Sequence, residues 1–299
     1  MQSSGRGVGI TNALHGAADW PVVVLFALVT QLGDVWFLFL AGATLYVAGD
    51  RLPRLGVDRR RGLFVLALAL AYVALVGALK LAFQLPRPPG AAEAPVVPWL
   101  PVLLDPVYVD IATGHGPGFP SGHALGSTMV WGGAALVLDA GTRRTRLSVA
   151  GVVVALVSLS RLVLGVHYAA DVVVGAAVGL AAVAALYRLG DAGTEPRHVL
   201  GFAVAAGAAG LLLEVSFDSV TAFGAALGGW LAWRAVAERT PAHLSSARAV
   251  AASAATICVA GALFAGVYAL TLPLAVSFLA AGAVTAAVVA APALGELLA

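Results

Sequence analysis

Three short clusters of cations, histidines and one carboxylate stand out: Lys80 with Arg87-Pro88, then Pro120-Ser121-Gly122-His123, then Ser160-Arg161 followed by His167 and Asp171. His167 and Asp171 stand four residues apart, so on a helix they share a face. The carboxylate can then accept from one imidazole nitrogen while the other stays free to attack. Ser121 and Gly122 follow a proline and open an apolar run, where unpaired amides and the positive end of the helix dipole attract anions. His123 in that first turn would sit beside any anion held there. Lys80, Arg87 and Arg161 read as a phosphate clamp, Arg through its planar fork and Lys as a point charge. Each feature also has a plainer reading. The cations can snorkel to headgroups, the serine can be a simple N-cap, and the His–Asp pair can be a structural hydrogen bond. Together they favour chemistry, because ionisable groups inside a membrane are costly without a use.

The elements that must carry these clusters are transmembrane helices. The chain has 299 residues, of which 61% are hydrophobic and 11% charged. Its mean hydropathy is +0.95, far above that of an ordinary soluble domain. Apolar runs long enough to cross a hydrocarbon core recur along the whole chain, and alternating in-out strands of a membrane barrel are absent. The fold class is therefore all-α, a polytopic helix bundle. The spans fall near 33–49, 62–84, 121–139, 147–164, 168–187, 198–213, 219–236, 248–270 and 273–291, about nine, with eight to ten as the range. Residues 10–32 are ambiguous, because Gln31, Gly33 and Asp34 interrupt an apolar stretch that could lie at the interface or join the first span. Met1 to Ala18 lacks the continuous apolar segment of a cleaved signal peptide.

Loop charge orients the bundle, since arginines in short loops stay cytoplasmic. Arg51, Arg54, Arg59, Arg60, Arg61, Arg143, Arg144, Arg146, Arg188, Arg197, Arg234, Arg239 and Arg248 all fall at one end. Lys80, Arg87 and Arg161 fall at the other, which places the three clusters on the extracytoplasmic face of the cell membrane. The proline-rich loop from Leu85 to Phe119 lies on that same side and is expected to be a lid or substrate entrance.

Read in order, the eleven cluster positions resemble the three-part signature of the type 2 phosphatidic-acid phosphatase superfamily, which also contains vanadium-dependent haloperoxidases. The resemblance covers roughly residues 33–190. It implies that His167 is a nucleophile forming a phosphohistidine, that Asp171 orients it, and that His123 protonates the leaving group. It also implies that Lys80, Arg87, Ser121, Gly122 and Arg161 hold the phosphoryl oxygens, with Pro88, Pro120 and Ser160 supporting. The implied activity is metal-independent hydrolysis of a lipid phosphate or polyprenyl pyrophosphate, with no cofactor. A lipid phosphotransferase using the same site, or a lipid transporter or binding protein, is the alternative.

The remaining sequence divides into an N-terminal segment, 1–32, a catalytic bundle, 33–190, and additional C-terminal spans, 191–299, of unassigned role. The net charge of +2 is scattered among short loops and argues against nucleic-acid binding. The expected partners are the lipid-linked substrate and membrane lipid. No HExxH, Asp-x-Asp or Cys/His cluster suggests a metal, and Asp105, Asp110 and His115 read as solvated loop residues. Cys258 is the sole cysteine, so no intramolecular disulfide can form. His15, His198 and His243 carry no partner pattern.

Overall fold

The computed structural model describes residues 6–52, 54–270 and 272–299, and among them there are helices but no strands. Twelve α-helices follow in order: α1 (Val8–Gly16), α2 (Trp20–Thr30), α3 (Val35–Ala48), α4 (Arg59–Phe83), α5 (Asp105–Ala112), α6 (Gly122–Val137), α7 (Arg143–Val163), α8 (Ala169–Leu189), α9 (Pro196–Leu213), α10 (Phe217–Val236), α11 (Ala247–Ala269) and α12 (Leu274–Leu298).

Each of the nine expected spans coincides with a helix, but not all are long and apolar enough to cross a membrane unaided. Six pass on length and composition: α4, α7, α8, α9, α11 and α12. A seventh is possible if α1 and α2, bent by 117° at their junction, form one broken span. The shortfall has physical causes. α3 has 14 residues and α6 has 16, about 21 and 24 Å at 1.5 Å per residue, short of a ~30 Å hydrocarbon core. α10 is 20 residues long but is diluted by Asp218, Arg234 and its glycines.

The centre of the bundle is α4. Its residues Leu63 to Ala71 are buried on every side, as expected of a helix that is apolar all round. It packs against α3, α6, α9 and α10. Asp58 starts it by accepting from the Arg61 amide at 3.0 Å, and Gln84 ends it in the left-handed region, φ 49°. The outward faces of α7, α8 and α11 expose Val152, Leu156, Leu180, Val259 and Leu263, a surface suited to hydrocarbon rather than water.

Successive long helices alternate in direction. The starts of α3, α6, α8 and α10 and the ends of α4, α7 and α9 therefore gather at one end of the bundle. The opposite end carries the arginine-rich connections, where Arg59 donates to the carbonyls of Tyr46 and Pro241 and Arg51 donates to that of Leu244.

Glycines let the C-terminal helices approach closely. A Cβ added at Gly228 of α10 would run into the Gly282 backbone of α12, whereas one at Gly261 of α11 would meet nothing within 4 Å. Gly228→Val is expected to cost about 1–3 kcal/mol by overpacking and to lower the thermal unfolding temperature in detergent. Gly261→Val should leave that temperature unchanged.

Candidate active site

Where α4, α6 and α7 converge, a cavity of about 240 Å³ is lined by Lys80, Arg87, Gly122, His123, Arg161 and His167, with Asp34 and Tyr72. Residues from all three sequence clusters thus meet in one place. Lys80 comes from the last turn of α4 and Arg87 from the connection that follows it. Arg161 comes from the last turn of α7, His123 from the first turn of α6, and His167 from the α7–α8 turn.

His167 is buried, 2% exposed. Its Nε2 lies 3.1 Å from the Arg87 guanidinium. Arg can only donate, so Nε2 must offer its lone pair and the neutral ring carries its proton on Nδ1. That nitrogen faces Asp171, 3.5 Å from Oδ2, but makes no hydrogen bond. The sequence led us to expect such a bond. The carboxylate is committed elsewhere: Oδ2 accepts from the Tyr168 amide at 3.0 Å and Oδ1 from Arg6 at 3.1 Å. Asp171 therefore stands behind the imidazole as an oriented charge.

Burial holds the His167 pKa well below the ordinary imidazole value of 6.5, reinforced by Arg87, Arg161 and Lys80. A lowered pKa keeps the ring neutral, with its lone pair available, to more acidic pH. If His167 is the nucleophile, the acid limb of kcat/KM, which reports the free enzyme, is expected well below pH 6.5. An acid limb at or above that value would contradict the reading.

The cations differ in how they are held. Besides Nε2 of His167, Arg87 donates to the carbonyls of Val166 at 2.9 Å and His115 at 3.1 Å. Arg161, 3% exposed, donates to Thr30 Oγ1 at 2.8 Å, and its Nε is buried without a partner. Lys80 makes no side-chain hydrogen bond among the described residues. Three convergent cations with spare donors, beside a neutral imidazole, can hold a tetrahedral oxyanion.

Ser121 departs from expectation. It does not line the cavity; its hydroxyl caps α6 by accepting from the Ala124 amide, and its own amide donates to the Asp171 carbonyl at 2.9 Å. The amides of Gly122 and His123 remain among the first-turn donors that no intrahelical carbonyl can satisfy. Pro88, Pro120 and Ser160 are buried behind the lining, with the Ser160 hydroxyl donating to the Val157 carbonyl at 2.6 Å.

The loop over the site is partly ordered by α5, and Asp110, Ile111, Thr113 and Gly114 help line the cavity. Asp110, expected to be merely solvated, is exposed but reaches the cavity rim. An edge-to-face contact between Trp99 and Trp20, with centroids 5.8 Å apart, ties the loop to α2.

Sequence reasoning missed the residues that approach from the N-terminal segment. Asp34 Oδ2 lies 3.5 Å from His123 Nε2. Thr11 Oγ1 donates to the His167 carbonyl at 3.1 Å, and His15 Nδ1 lies 2.9 Å from the Val163 carbonyl. One signal was available: Gln31, Gly33 and Asp34 break an apolar run, and an intramembrane carboxylate is expensive unless it is used.

Residues 62–194 match the model of the family described as the PAP2 superfamily. No curated protein and no solved structure matches the chain. The matched stretch contains all three clusters, from Lys80 to Asp171, and excludes the N-terminal segment and all of α9 to α12.

Proposed function

From the match of residues 62–194 to the PAP2 superfamily model, we propose that this chain is a membrane-embedded phosphatase. It removes phosphate from a lipid phosphate or polyprenyl pyrophosphate through a phosphohistidine on His167, at the extracytoplasmic face. The observation that carries the reading is the pairing of a buried imidazole, its Nε2 lone pair directed at the cavity cation Arg87, with Lys80 and Arg161 at the same cavity.

The substrate phosphoryl group takes up Arg87, Lys80 and Arg161 as oxygen partners, which draws the guanidinium from Nε2 and frees the lone pair. Nε2 bonds to phosphorus as the bond to the leaving oxygen breaks. The His123 imidazolium gives that oxygen its proton. Asp171 offsets the positive charge developing on His167. Neutral His123 then takes a proton from the water that attacks the phosphohistidine, which releases inorganic phosphate and restores both histidines. The three cations and the first-turn amides of α6 offset the charge of the five-coordinate transition state.

The exposed apolar faces of α7, α8 and α11 support a lipid substrate. The extracytoplasmic assignment rests on the arginine-rich connections at the opposite end. The test is phosphate release by the detergent-purified protein from phosphatidic acid, phosphatidylglycerophosphate and polyprenyl pyrophosphate, with a chelator present throughout. Release from at least one supports the reading. Appearance of a phosphorylated acceptor in place of free phosphate would make the protein a phosphotransferase, and no movement of the phosphoryl group from any of the three would overturn both readings.

A further inference from the structure

Both histidines at the cavity have a carboxylate at the same distance. His167 Nδ1 lies 3.5 Å from Asp171 Oδ2, and His123 Nε2 lies 3.5 Å from Asp34 Oδ2. Asp171 belongs to the matched family stretch, whereas Asp34 lies outside it, at the start of α3. We propose that Asp34 is the positioning residue of His123, fixing its orientation and stabilising its imidazolium, so that the N-terminal segment completes the active site. This rests on the assignment of His123 as the proton donor in the reading above.

Local structure fits Asp34 to both tasks. As the N-cap of α3 its Oδ1 accepts from the Trp36 amide at 3.3 Å, which leaves Oδ2 for the imidazole. The charged groups facing His123 are otherwise cationic: Arg161 from α7 and Lys80 from α4, with His167 from the α7–α8 turn. Asp110 on the loop is the other carboxylate lining this cavity, at its exposed rim. Burial and those cations oppose an imidazolium at His123, and Asp34 is the carboxylate beside it that favours one. With Nε2 directed at Asp34, Nδ1 is the nitrogen that passes its proton to the leaving oxygen. The Asp34 carboxylate stays ionised throughout and takes no proton.

Asp34 is held in place by the same segment's other attachments. Thr30, four residues earlier, binds Arg161, and Arg6 binds both Asp171 and the Pro86 carbonyl, the latter at 2.6 Å. A Cβ at Gly33 would run into Val157 of α7, so the glycine lets the Asp34 turn press against that helix. The segment thus reaches the proton donor, one phosphate cation and the orienting carboxylate from a single side.

The experiment compares wild type, Asp34→Asn, His123→Ala and the double variant on two substrates: a lipid phosphate, whose alkoxide leaving group needs a proton, and p-nitrophenyl phosphate, whose phenolate does not. Asparagine is as good an N-cap as aspartate, so D34N keeps the helix start and removes only the charge. D34N is expected to lower kcat on the lipid phosphate by roughly 10–10²-fold, within the usual reach of general acid catalysis. KM should hold to about twofold and the first-turnover release of p-nitrophenolate should be spared, because that leaving group needs no proton, whereas the later attack of water still uses His123. In the H123A background D34N should cost nothing further. Wild-type rates in D34N beside a defective H123A would overturn the proposal alone, as would an equal loss in the first turnover of both substrates, which would make Asp34 a structural cap. An H123A enzyme with full activity on the lipid phosphate would instead overturn the proton-donor assignment on which the proposal rests.

Discussion

Replacing His167 with alanine is expected to reduce phosphate release from a lipid phosphate by on the order of 10⁴-fold or more, the scale seen when a covalent nucleophile is removed. The argument is geometric. His167 is the cavity imidazole whose Nε2 offers its lone pair, and burial with three surrounding cations keeps it neutral. His123 also has a carboxylate beside its ring, but in the proposed mechanism it carries the proton for the leaving group, whereas His167 offers Nε2 unprotonated to the cavity. A second readout separates chemistry from folding. Brief exposure of wild type to ³²P-labelled substrate, followed by alkaline denaturation, should leave acid-labile label on the protein, and H167A should carry none. Label retained at wild-type levels by H167A would move the nucleophile elsewhere, and H123A, which still has the nucleophile, should still be labelled by an aryl phosphate.

Much of this site was legible because its parts are compact in sequence. Four-residue spacing puts Asp171 behind His167 through helix geometry alone, and Pro120-Ser121 announces the start of α6. The apolar runs similarly announced every long helix. What the runs did not convey is that α3 and α6 are too short to span unaided, because the stretches 33–49 and 121–139 take in flanking residues such as Gly33-Asp34 and Leu138-Asp139 that lie outside the helices. Ser121 is ambiguous in sequence, because a hydroxyl at a helix start can bind a ligand or cap the helix, and only the third dimension shows that it caps α6 and that its amide donates to the Asp171 carbonyl. Arg6, Thr30 and Asp34 were hidden because no local pattern links them to residues so far along the chain.

The division of labour among the helices follows. The matched stretch carries His167 and the cavity cations, while α1, α2 and the start of α3 contact those groups from outside it. Of the terminal pair, α12 packs on α10 and α11 while both touch α3, and neither contributes to the cavity lining. At the opposite end of the bundle Ser245 donates from both its amide and its hydroxyl to Glu296 and His243 lies 3.1 Å from Asp50.

The second large effect is expected at Arg161. Its guanidinium is 3% exposed, fixed through one nitrogen to Thr30 and left with a buried Nε that has no partner. A buried donor without an acceptor is costly, and a phosphoryl oxygen in the cavity would satisfy it. Arg87, by contrast, already gives donors to two carbonyls and to His167, so its gain on substrate binding is smaller. Arg161→Lys keeps the charge but loses the planar fork, and is expected to lower kcat/KM by on the order of 10²–10³-fold, the usual cost of one transition-state donor. If the fork matters most in the five-coordinate state, kcat should carry the larger part of the loss, and inhibition by orthovanadate should weaken more than inhibition by inorganic phosphate. Equal weakening of the two inhibitors with kcat unchanged would assign Arg161 to uniform phosphate binding. Wild-type kinetics in R161K would show that a point charge suffices there, and the unpartnered Nε would then need another acceptor.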